Sequence, residues 1–203
     1  GCFYGEFALR KDEDLQAMQG RPGYEALVER SYLMIHQAQQ LARPELTVIN
    51  EGITNNGKTP LLMALHGNNS NEAYFVGHWQ SLVGSEWLVA LPQSSQVNGK
   101  DIFVWNDMEV TERELVDHYR GLTYEIVPDP GRTIITGFSK GGQAAINAAL
   151  KQLFPIAGFI AIAPYIPEVG GLTKQLEVGI GRKLRGYFLL GKEDTSCTPG
   201  AIQ

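Results

Sequence analysis

Cysteine is nearly absent from this chain, with only Cys2 and Cys197 among 203 residues. Two thiols cannot build a disulfide framework, and free thiols in a reducing cytoplasm are the expectation. No apolar run approaches the roughly 20 residues that a bilayer-crossing helix needs, and no charged-then-apolar leader opens the sequence. Basic charge is also scarce: 17 Lys and Arg face 22 Asp and Glu, for a net charge of −5. Nucleic acid selects a basic face and is not an expected partner. Histidine occurs only at His36, His66, His78 and His118, and neither these nor the cysteines have metal-ligand spacing. P-loop spacing and a Gly-x-Gly-x-x-Gly fingerprint are both missing, so no cofactor is expected.

What remains is ordinary globular material, 43% hydrophobic and long enough for one domain with a sizeable core. Tyr24 to Arg43 carries an apolar stripe at helical spacing (Tyr24, Leu27, Val28, Met34, Ile35, Ala38, Leu41 and Ala42) that Pro44 ends. Residues 1–44 therefore read as an N-terminal helical extension packed on a main domain, 45–203. Glu45 to Ile53 and Leu61 to Leu65 read as strands around an Asn-Gly turn, an antiparallel hairpin at a sheet edge. Trp87–Leu91, Thr133–Thr136, Phe159–Ala163 and Tyr187–Leu190 are short continuous apolar runs, as strands buried on both faces are. Helical segments separate most of them. One of these is expected to start at a capping box, Thr111 with Glu114, stapled by Val110 and Leu115. His118, on the same helix, is expected to be solvated. The fold class is α/β: a mainly parallel sheet with an antiparallel edge hairpin and helices on both faces.

The chain is organised around Thr133 to Gly142, where a β-branched run enters Gly137-Phe138-Ser139-Lys140-Gly141 and an Ala-rich helical run follows. Strand, tight turn, helix is the context in which Gly-x-Ser-x-Gly presents a nucleophilic serine. The turn tolerates only small neighbours, and it sets Ser139 at a helix N-terminus where free N–H groups favour developing negative charge. Ligands of open α/β sheets bind beyond the carboxyl ends of the strands. Ser139, His66-Gly67-Asn68-Asn69, Pro92-Gln93-Ser94 and Lys192-Glu193-Asp194 all fall at such ends. A serine hydroxyl needs a base, a carboxylate to orient that base, and donors for the oxyanion. The backbone amides of Asn68 and Lys140 are the expected donors, with the Lys140 side chain in solvent. Asp194 is the expected carboxylate, with Glu193 the competitor one residue of register away. His66 is expected to shape the oxyanion loop rather than act as base.

These residues resemble the α/β-hydrolases of the carboxylesterase/phospholipase type. The matching stretches are Leu65-His66-Gly67 with Asn68 to Glu72, Val104-Trp105-Asn106-Asp107, Pro128 to Arg132, Gly137 to Gly142, and Gly191-Lys192-Glu193-Asp194. The match runs from about Leu61 to the C-terminus. The resemblance implies a Ser139 nucleophile, a histidine oriented by Asp194, and an oxyanion amide at Asn68. It also puts Trp105 near the acyl pocket, with His66 beside it; a core tryptophan is the alternative. Lys140 departs from the family, which often has glutamine there, and the helix Tyr24–Arg43 lies outside the match.

The base is the larger departure. The triad of this family runs serine, acid, histidine along the chain, yet all four histidines precede Ser139. The expectation is a hydrolase domain that is C-terminally incomplete. A non-catalytic relative, or His66 as a substitute base, are the competing explanations. The expected function is cleavage of small-molecule carboxylic esters, small acyl groups first, through an acyl-enzyme on Ser139. A prolyl-oligopeptidase-like peptidase and a non-catalytic hydrolase-fold binding module are the alternatives.

Overall fold

A computed structural model describes residues 3–50, 58–166 and 184–194. In chain order the elements begin with α1 (Glu6–Lys11), α2 (Pro22–Leu41), β1 (Glu45–Ile49), β2 (Thr59–Leu65) and α3 (Glu72–Phe75). A 3₁₀ turn over Val76–Leu82 follows, then β3 (Leu88–Gln93), β4 (Val97–Gly99), β5 (Ile102–Phe103) and α4 (Met108–Thr123). The chain continues through β6 (Pro128–Phe138), α5 (Lys140–Lys151), β7 (Gly158–Ile162) and β8 (Arg185–Leu189). Both cysteines, residues 51–53 of the expected first strand and the Asn-Gly turn lie outside the described residues.

The main sheet has the order β1-β3-β2-β6-β7-β8, and β4 pairs with β5 in a separate ribbon. All pairs in the main sheet are parallel except β1 with β3, so the edge is antiparallel. The expected hairpin is a different matter: β1 does not pair with β2. β3 lies between them, with Glu45 opposite Gln93 on one side and Leu61 opposite Leu88 on the other. Burial explains the exchange. β2 is buried at all seven positions and needs a partner on each edge, whereas β1 is only partly buried and suits the rim.

Side chains alternate across β2, so one strand serves two cores. Leu61, Met63 and Leu65 point to the layer of α4 and α5, with Leu115, Leu122 and the alanines of α5. Leu62 and Ala64 point the other way, to Phe75, Val89 and Leu91 under α3 and the 3₁₀ turn. β6 starts earlier than the sequence suggests. Pro128-Asp129-Pro130-Gly131 belongs to the strand instead of breaking the chain before it, accommodated by a register shift against β2 between Thr59 and Leu61. Asp129 holds that bulge by accepting from the Gly131 N–H at 2.9 Å and, through its carbonyl, from the Thr133 hydroxyl at 2.8 Å.

Two helices start or pack differently from their sequence patterns. α2 buries only Tyr24, Val28 and Ser31, one narrow i, i+4, i+7 strip, while Leu27 and Leu41 stay exposed. Polar ties hold it: the Ser31 hydroxyl donates to the Tyr4 carbonyl and accepts from its N–H, and Gln39 bonds the backbone of Ser95 and Val97. α4 is capped by Asp107, whose carboxylate accepts from the N–H groups of Glu109 and Val110 at 3.0 and 3.1 Å. The Thr111–Glu114 pattern lies one turn inside the helix. Thr111 donates to the Asp107 carbonyl, and Glu114 accepts from Ser95, its carboxyl pushed above the usual range by burial despite those bonds. Asp107→Ala is accordingly expected to lower stability by about 1 kcal/mol. A urea midpoint unchanged by the substitution would remove Asp107 as the cap.

Candidate active site

The ends of β2 and β6 form a topological switch point. From β2 the chain moves outward to β3, and from β6 it moves the other way to β7 and β8, so the two loops diverge and leave a crevice. Ser139 stands at the β6 end of that crevice, between the last strand residue and the first residue of α5. Its backbone has φ 53° and ψ −117°, a conformation that costs a non-glycine residue on the order of 1–3 kcal/mol. Three backbone hydrogen bonds hold it there. The Ser139 N–H donates to Ile162 at 3.0 Å, and its carbonyl accepts from Gln143 at 3.1 Å and Tyr165 at 3.0 Å. The hydroxyl makes no capping bond to its own helix.

The turn works only because backbone meets backbone. A Cβ on Gly137 would lie 2.3 Å from the Gly141 carbonyl group, and one on Gly141 would lie 2.2 Å from the His66 carbonyl oxygen. The second of these packs the start of α5 directly under the loop after β2. That loop carries Asn68, and among the described residues no acceptor takes the N–H of Asn68 or of Lys140. One of these amides follows β2 and the other opens α5 after β6.

His66 and Trp105 stand behind this loop, not in the crevice. Both are fully buried, with their rings 4.8 Å apart. Trp105 belongs to the core under α4 and α5, which corrects its expected place at an acyl pocket. It pins the loop twice: its indole N–H donates to the His66 carbonyl, and its backbone N–H donates to the Asn68 side-chain oxygen, both at 2.8 Å. The His66 Nδ1 lies 2.7 Å from the Gly67 carbonyl. A carbonyl only accepts, so Nδ1 carries the proton, and the bare, buried Nε2 has no partner among the described residues. Burial pulls the imidazole pKa down to about 4. His118 departs from expectation in the same direction: its Nε2 is buried and has no partner among the described residues, and burial lowers its pKa.

Lys140 does not extend freely into solvent. Its ammonium donates to the Gln143 side chain at 3.0 Å, sits 4.2 Å from the centre of the Tyr165 ring, and is lowered in pKa by burial. Beyond β8, Asp194 is partly buried and its N–H donates to the Gly191 carbonyl at 3.2 Å, while Glu193 is exposed. On the other side of Ser139, a cavity of about 730 Å³ opens against Gly67, Asn68 and Phe138 and is roofed by Tyr74, Phe75 and Trp79. Ser139 is a neighbour of this wall, not part of it. The sequence reading missed this cavity; its one signal was three aromatic residues in the eight from Glu72 to Trp79, directly after the His-Gly loop. Among the described residues no group of His, Cys, Asp or Glu is placed to hold a metal ion, and no helix is long and apolar enough to cross a membrane.

Two measurements test this geometry. Gly141→Ala is expected to lower stability by about 3 kcal/mol or more through overpacking. Gly121→Ala, with nothing within 4 Å of its added Cβ in α4, should raise it by about 0.5–1 kcal/mol; equal urea midpoints for the two variants would refute the close approach. For His66, the unfolded imidazole protonates near pH 6.5 and the folded one only near pH 4. The unfolded state thus binds more protons between those values, and stability present above pH 6.5 is lost as pH falls toward 4, by about 3 kcal/mol at most. An NMR titration should show His66 neutral at pH 5; a midpoint near 6.5 would exclude its buried neutral state.

Known structures agree with this architecture. No family model matches the sequence, and no curated protein matches it either. An uncharacterized protein from Bacillus cereus is 29% identical in sequence, with a TM-score of 0.66, covering 99% of this chain and 63% of that one. The chain thus spans less than two thirds of that protein's length. Esterase PE8 (17% identity, TM-score 0.54) covers 79% of this chain and 94% of its own. A phospholipase/carboxylesterase from Dyadobacter fermentans (12% identity, TM-score 0.55) covers 80% and 94%. At such identities the last two speak to fold, and the fold they share is the one built above from sheet order, crossovers and strand-end loops. The chain has an α/β-hydrolase fold.

Proposed function

We propose that this chain carries the nucleophile and oxyanion site of a serine hydrolase acting on carboxylic esters. The observation that carries the reading is Ser139 itself: a strained, partly exposed serine at a topological switch point, flanked by two unpaired amides from different strand ends. The Ser139 oxygen attacks the ester carbonyl carbon as its proton passes to a general base. The tetrahedral oxyanion is held by the N–H groups of Asn68 and Lys140, aided by the N-terminus of α5. Collapse expels the alcohol, which takes the proton back from that base, and water then releases the acid from the acyl-enzyme by the same steps in reverse.

Asp194 is assigned as the residue that orients the base. Partial burial at the end of β8 favours it over the exposed Glu193. His66 is an unsuitable base, because its protonated nitrogen is engaged by Gly67 and its other nitrogen is enclosed. Two cysteines and a net charge of −5 fit a cytoplasmic enzyme of small-molecule esters and speak against nucleic acid as substrate.

Fluorophosphonate labelling of the full-length protein tests the reading. Label is expected on Ser139 and is expected to vanish in Ser139→Ala, with kcat for an activated ester falling by at least 10³-fold. Label persisting in the alanine variant would move the nucleophile to another residue.

A further inference from the structure

Resting on that reading, we propose that the cavity beside Ser139 makes this enzyme selective for esters of neutral, aromatic acyl groups. Size is the first argument. About 730 Å³ lies in the range of sites that enclose drug-sized ligands, and a methyl or ethyl group would leave most of it empty. The lack of a lid-like insertion suggested small acyl groups from sequence, but the space is provided by the loop after β2 and by α3.

The walls give the second argument. Tyr74 is 71% exposed and Phe138 is 45% exposed, although each presents a large ring to the cavity. Folding gains little from rings held out of the core, whereas a bound aromatic group would cover them. The arrangement is built. Asn71 accepts from the Tyr74 N–H and donates to the Asp101 carbonyl, both at 2.8 Å, which fixes the aromatic segment over the loop after β2. Gly67 keeps the entrance open, since a Cβ there would strike the Phe138 ring at 2.8 Å. Charge supplies the third argument. Among the described lining residues there is no Lys or Arg; the acidic side chain, Asp101, has the Lys100 ammonium 3.8 Å away, and His78 is the one imidazole, so no fixed cation of the lining favours an anionic acyl chain.

The cavity takes the acyl part and not the alcohol. The leaving oxygen must be reprotonated by the base, which Asp194 places on the β8 side of Ser139. The cavity is formed mainly by the loop after β2 and the segment that follows it, across the crevice and beside the Asn68 amide.

Calorimetric titration of Ser139→Ala with methyl 3-phenylpropionate, methyl butyrate, phenyl acetate and methyl hydrogen succinate tests this without turnover. Methyl 3-phenylpropionate is expected to bind at least tenfold more tightly than each of the others. Adding Tyr74→Ala or Phe138→Ala should weaken it at least fivefold, while Tyr124→Ala, on a remote and 91% exposed residue, should not change it. The full-length enzyme with Ser139 intact should show the same order in kcat/KM. Equal binding of methyl butyrate, or tighter binding of phenyl acetate, overturns the proposal. Turnover without acyl preference overturns it and leaves the serine-hydrolase reading standing. The aromatic preference without any turnover by the full-length protein upholds the cavity's selectivity and sinks the hydrolase reading.

Discussion

The site depends on one constraint: at the ends of β2 and β6, main chain is packed on main chain with no side chain between. Gly137 faces Gly141, Gly141 faces the His66 carbonyl, and an added Cβ on Gly142 would lie 3.0 Å from the Gly137 carbonyl oxygen. This brings the first turn of α5 within reach of the loop after β2. The strained Ser139 backbone is the consequence. Its cost, on the order of 1–3 kcal/mol, is offset by the three backbone bonds that Ile162, Gln143 and Tyr165 make to it, each contributing about 1 kcal/mol net.

Around that contact the sheet divides the labour between its faces. On the side of α4 and α5, small alanines let the helix approach closely, and Trp105 packs in the same core under the loop after β2. Trp105 fixes this loop from below through two hydrogen bonds, and His66 completes the same buried support. On the opposite side the layer over the sheet is thin: one short helix and a 3₁₀ turn, rich in aromatic residues. A thin layer leaves room, and the cavity beside Phe138 occupies it. The α4 and α5 face thus packs closely beneath Ser139 and the loop after β2, and the opposite face offers the space beside them.

Much of this was legible in the residue pattern, element by element. The β-branched run into Gly137-Phe138-Ser139 announced a strand entering a tight turn, and the continuous apolar run of β2 announced burial on both faces. Local pattern misled where a signature had another use. Thr111 and Glu114 have capping-box spacing, yet the cap is Asp107, because Gln96 already ties the amides of Asn106 and Asp107 at 2.9 and 2.6 Å and so fixes where the helix begins. The Asn-Gly signal suggested that β1 and β2 pair, but strand order follows which segment must be buried on both edges. The place of Trp105 was undecidable in sequence, since a core indole and a pocket indole look alike there.

By itself the sequence determined the α/β class, the residues at the strand ends, and the need for glycine at 137 and 141, because these follow from short-range sterics and from apolar periodicity. The tertiary structure alone decided that β3 separates β1 from β2, that Trp105 and His66 support the site from within, and that an aromatic cavity opens beside Ser139. Those outcomes are set by contacts between residues 27 or more positions apart, and no local pattern encodes which distant surface a side chain will meet.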